Sequence, residues 1–106
     1  MDKVFFVYTT WPSKEAAERA AQEIVQEKLA ACANVLPGGK SYFYWKQKLE
    51  MAEETVVIFK TTRKLERRLE EKIKAIHTYE CPCILGLDVV SGHEPFLTWI
   101  HSSVAE

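Results

Sequence analysis

The sequence predicts an α+β fold, and three observations carry the prediction. Two segments, residues 17–32 and 65–76, repeat apolar residues at spacings of three and four, the period of a helix with one buried face. Around them lie β-branched and aromatic runs at residues 3–10, 41–46, 56–59 and 84–90, which suit strands. The chain has 106 residues, enough for one domain (1–106) and too few for a second core.

Each element follows in order. Residues 3–10 are apolar on both parities, as in a strand covered on both faces, and stop at Trp11-Pro12. Ser13 is placed to cap the first helix, with Ala17, Ala20, Ala21, Ile24, Val25, Leu29 and Cys32 on its buried stripe. Residues 33–46 read as one long strand, bulged at Pro37-Gly38-Gly39, and Gln47-Lys48 is the expected hairpin turn. The return strand covers residues 49–61. Thr62 is expected to cap the second helix, whose stripe is Leu65, Leu69, Ile73 and Ile76, with Glu70 and Lys74 paired outside. Residues 84–90 form the last strand, and Pro95 starts a short closing helix. The order βαββαβ, then α, is that of the ferredoxin-like sandwich: an antiparallel sheet with both main helices on one face.

Charge and composition exclude several function classes. With 14 Lys plus Arg against 15 Asp plus Glu, the formal charge is -1, so no global field draws the chain to nucleic acid or a membrane surface. The longest apolar runs, residues 4–8 and 29–33, fall short of the ~20 residues of a membrane span and of the ~7 of a signal-peptide core. The 3 cysteines are an odd number without a disulfide framework, and a cytoplasmic location is the expectation. No Gly-rich phosphate loop is present, and catalysis is not expected.

Two features do point to function. Residues 42–45 are aromatic on both parities, so a sheet with helices on one face needs a second cover, and self-association is expected over cover by the closing helix alone. The other is His77-Thr78-Tyr79-Glu80-Cys81-Pro82-Cys83, where two thiols and an imidazole form a soft ligand set suited to copper or zinc; His77, Cys81 and Cys83 are the candidate metal ligands. Cys81 and Cys83 serve equally well as packing residues, Cys32 is expected in the core, and His93 and His101 at the surface.

The segments Leu29-Ala30-Ala31-Cys32-Ala33-Asn34, Tyr44-Trp45-Lys46-Gln47-Lys48-Leu49-Glu50, Phe59-Lys60-Thr61-Thr62 and His77-Thr78-Tyr79-Glu80-Cys81-Pro82 resemble the divalent-cation tolerance (CutA) family, end to end and in order. The resemblance implies a ferredoxin-like subunit, a tight homotrimer whose sheets join edge to edge, and a role in the response to copper and other divalent metal ions, with no organic cofactor. Departures stand beside it. Thr9 replaces a cysteine associated with copper in some members, Ile76 replaces the first of a histidine pair, Cys83 stands where the family continues with Glu, and Gln47 replaces a turn glycine. The alternative is a trimeric module of PII-like architecture that binds a small molecule or protein at subunit clefts.

Overall fold

The computed structural model describes residues 2–105. The elements are β1 (Val4–Trp11), α1 (Lys14–Gln26), β2 (Cys32–Trp45), β3 (Lys48–Thr62), a 3-10 turn (Arg63–Leu65), α2 (Glu66–Ile76), β4 (Ile84–Asp88) and α3 (Glu94–Ser103). The strands form one sheet in the order β2-β3-β1-β4, with every neighbouring pair antiparallel. This is the ferredoxin-like α+β arrangement the sequence predicts.

The core lies between one sheet face and the two main helices. Phe5, Val7 and Trp11 point from β1, and Val57 and Phe59 from β3, toward Ala17, Ala20 and Ile24 of α1 and Leu69 and Ile73 of α2. Ser13 caps α1 as expected, its hydroxyl accepting the Ala16 N–H at 3.1 Å. The helix stops earlier than its apolar stripe suggests. Lys28 takes the left-handed conformation (φ 61°) after Gln26, so Leu29 and Cys32 lie beyond the helix. Leu29 is still buried, whereas Cys32 opens β2 opposite Lys60 and is only half-buried. Thr62 makes no cap bond; the 3-10 turn intervenes, and the Asp2 carboxylate accepts the Lys64 N–H at 2.6 Å instead.

β2 and β3 run far past the helices as a hairpin arm, which stretches the molecule to 46 × 25 × 23 Å. The expected bulge is present as a register shift between Leu36 and Gly39. Gly39 is required there, because a Cβ would meet the Glu54 carbonyl oxygen at 2.9 Å. The arm's turn falls one residue earlier than expected. Trp45 pairs with Lys48, and Lys46 (φ 52°) and Gln47 (φ 68°) are both left-handed, the geometry of a two-residue primed turn. Gln47→Gly should therefore stabilise the protein by about 0.5–1 kcal/mol, read as a higher denaturant midpoint; an unchanged or lower midpoint would show that the turn carries no strain.

The second sheet face is covered at one end only. Ile100 of α3 packs with Val4 and Ala31, joined by Phe6, Leu97 and Val104. Elsewhere Tyr8 lies between Ile58 and Leu85 in the register, and Leu36 beside Val56; Tyr8, Ile58 and Val56 are half-buried, whereas Leu36 is exposed and Leu85 is 58% exposed. The arm is bare on both faces, with Tyr42, Tyr44, Leu49 and Met51 on one and Phe43 and Trp45 on the other. The chain exposes 7025 Å² at 12.2 kDa, whereas a compact monomer of that mass exposes roughly 6,100 Å². The excess is comparable to what one partner buries in a standard interface, ~800 Å².

Candidate functional site

Three parts of the fold meet at the base of the arm. β1 ends at Thr10 and Trp11; α2 ends at His77, whose backbone turns extended (φ -79°, ψ 146°) while its N–H still reaches the Ile73 carbonyl at 2.9 Å. The segment after His77 bends at residues 79–81 and enters β4 at Ile84. The arm supplies Phe43, Trp45, Glu50 and Glu54, whose register puts them on the sheet face away from α1 and α2. Together with Thr10, Tyr79, Glu80, Cys81 and Cys83 they line a pocket of about 630 Å³.

His77 braces the pocket from behind. Its ring stacks on Trp11 with centroids 4.2 Å apart, and Nε2 lies 2.7 Å from the Thr10 carbonyl oxygen. A carbonyl only accepts, so Nε2 carries the proton, and Nδ1 is left to accept the Tyr79 N–H at 3.1 Å. Both ring nitrogens are thus engaged, and no lone pair is free for a metal in this arrangement. Among the described residues, no group of three His, Cys, Asp or Glu side chains converges on a point where an ion would sit. The two cysteines of the expected ligand set line the pocket; its histidine orients their loop.

Glu54 is the pocket's polar anchor. Its carboxylate accepts the Ser41 hydroxyl at 2.5 Å and the Tyr79 hydroxyl at 2.9 Å. Burial, and then the bond to Glu54 and its charge, push the Tyr79 phenol up to about 12. Burial also raises the Cys83 thiol, reinforced by the Glu54 charge and opposed by the Thr10 side chain. At Cys32 burial raises the thiol against an opposing effect of Lys60. Cys81 is exposed.

The Tyr79 shift sets a pH dependence. The unfolded phenol loses its proton near 10 and the folded one near 12, so stability falls as pH rises through that window and is unaffected below it. In a spectrophotometric titration one of the 4 tyrosines should ionise late, and Tyr79→Phe should remove that late step. If the parent and Tyr79→Phe show no difference in late phenol ionisation, the Glu54 contact is not formed in solution.

Sequence reasoning located the segment 77–83 but missed Thr10, Glu50 and Glu54. Glu54 carries one local signal: a carboxylate in the middle of a long strand, on the face that also carries Phe43 and Trp45. Its partners, Ser41 and Tyr79, lie 13 and 25 residues away, and nothing in the chain's local pattern joins them.

Residues 5–103 match the family of CutA1 divalent ion tolerance proteins. The chain is 41% identical over 99 residues to a divalent-cation tolerance protein CutA of Archaeoglobus fulgidus, covering 93% of this chain and 96% of that one. It is 40% identical to a chloroplastic CutA 1 protein of rice, covering 94% of this chain and 56% of the relative. Among solved structures, CutA1 from Oryza sativa superposes with a TM-score of 0.97 at 38% identity, over 99% of this chain and 96% of that one. The CutA of Archaeoglobus fulgidus gives 0.92 at 40% identity, over 96% and 99%. That protein is described as periplasmic, and the rice and Arabidopsis relatives as chloroplastic. The cytoplasmic expectation is therefore corrected: an odd cysteine count speaks against a disulfide framework, and it does not fix a compartment.

Proposed function

Because the chain belongs to the CutA1 divalent ion tolerance family, we propose that it serves divalent-cation tolerance as a homotrimer that takes up soft metal ions, copper foremost, on Cys81 and Cys83. The observation that carries this reading is that the two thiols, set one residue apart, line the same pocket beside Thr10 and Glu54. Thiolates select soft ions, and Cu(I) is content with two ligands, whereas a structural Zn(II) site takes four. His77 acts behind them, fixing the loop through Thr10 and Tyr79. The reading is one of binding, with no catalytic step. Self-association is supported by the arm with two bare apolar faces and by the half-covered sheet.

Competition with a Cu(I) chelator tests the site. Affinity should rise with pH as the thiols lose their protons, and the rise should continue to higher pH than for an ordinary cysteine pair because the Cys83 proton is held longer. Cys81→Ser with Cys83→Ser should weaken binding at least ~100-fold, and His77→Ala by less, about 10-fold, as expected for a supporting residue. Equal affinity in the parent and the double serine variant would remove the cysteines from the site.

The pocket's size favours a second reading, that of a small-molecule or partner-responsive module. About 630 Å³ is more than a single ion needs and lies in the range that holds small organic ligands. Parent protein that binds no copper, yet retains a small organic molecule through native purification, would favour it.

A further inference from the structure

Cys81 and Cys83 have a second chemistry that does not depend on a metal. Both are free thiols on the wall of the same pocket, one exposed and one half-buried, and Pro82 fixes the backbone between them. Two residues of chain span at most ~7 Å, so the two Cα atoms can be no farther apart than about the upper end of the ~4.4–6.8 Å that a disulfide accepts, and closing the bond asks at most for a small local adjustment about Pro82. Cys32 cannot compete for either partner: it lies on β2, at the opposite edge of the sheet from the strand that Cys83 leads into.

We propose that Cys81-Pro82-Cys83 is a thiol–disulfide exchange site that reacts with small disulfides of the glutathione class and closes to an intramolecular disulfide. The Cys81 thiolate attacks one sulfur of the small disulfide. That S–S bond breaks, the first small thiolate leaves and takes up a proton, and a mixed disulfide remains on Cys81. The Cys83 thiol then loses its proton and attacks the Cys81 sulfur, expelling the second small thiol. Two protein thiols are oxidised and one small disulfide is reduced to two thiols. Exposure assigns the roles: Cys81 meets the incoming disulfide, and Cys83, sheltered against Thr10, resolves it.

The test is mass spectrometry of metal-free, fully reduced protein incubated with glutathione disulfide. The parent should become two hydrogens lighter and retain one alkylatable thiol, Cys32. Cys83→Ser should stop at a glutathione adduct on Cys81, and Cys81→Ser should react at least ~10-fold more slowly, as expected when the exposed thiol is removed. A parent that accumulates only glutathione adducts, or serine variants that react at equal rates, would overturn the proposal. Because no metal is present, the outcome is separate from that of the copper titration.

Discussion

Trp11→Ala is expected to lower stability by about 3–5 kcal/mol, the cost of an unfilled cavity under a large aromatic side chain. Trp11 is 1% exposed, at the end of β1 where the sheet meets α1 and α2. Its indole N–H donates to the Thr9 hydroxyl at 2.7 Å, and Thr9 in turn donates to the Val57 carbonyl at 2.8 Å. The ring also supports the His77 imidazole, which holds Thr10 and the Tyr79 amide. Damage should therefore spread from the core to the pocket. Beyond a melting temperature lower by more than about 12 °C at fixed protein concentration, the Tyr79 amide should exchange faster. A loss below ~1 kcal/mol would show that the site has collapsed around a smaller side chain, and an unchanged Tyr79 amide would show that the stack on His77 does not order the loop.

Leu85→Glu has the second large effect, and a different kind of effect. Within one chain Leu85 is 58% exposed, opposite Tyr8 in the register, so a carboxylate there leaves the single-chain fold almost untouched. In an assembly that covers this face the same carboxylate must be buried without a partner in every subunit, a penalty of several kcal/mol each. The variant should be a folded monomer with an unchanged far-UV spectrum, and the parent a trimer. Trp45→Ala on the arm should weaken assembly in the same direction by removing a 53%-exposed aromatic that a partner would cover. A Leu85→Glu protein with the parent's mass in light scattering would place the interface elsewhere.

These predictions rest on surfaces that periodicity made legible. Strands and helices with one strongly patterned face, such as α1 and α2, could be read directly, because burial forces apolar residues onto one side. The bulge was marked by Pro37-Gly38-Gly39, and the need for a second cover by residues 42–45, where both parities are aromatic. Element ends were less legible. A lysine takes the left-handed cap of α1, and Lys46-Gln47 form a turn that normally favours Asn-Gly, so tertiary context overrode local preference at both places. The α2 entry depends on Asp2, which is 62 residues distant from Lys64.

The candidate site was legible in half. Its cysteines were visible as an unusual pair, and they do line one pocket. The role of His77 was not, because what engages its two ring nitrogens, the Thr10 carbonyl and the Tyr79 amide, are backbone groups that no side-chain pattern reports. Glu54 was hidden for the related reason that its partners come from a neighbouring strand and a distant loop.

Native mass spectrometry of reduced, metal-free protein titrated with Cu(I) tests the proposed three-chain assembly and the proposed copper-holding cysteine pair together. The expected result is a species of three chains that takes up one copper per chain, and a Cys81→Ser, Cys83→Ser protein that remains a trimer and takes up none. A monomer at micromolar concentration, or equal copper uptake by the parent and the double variant, would contradict it.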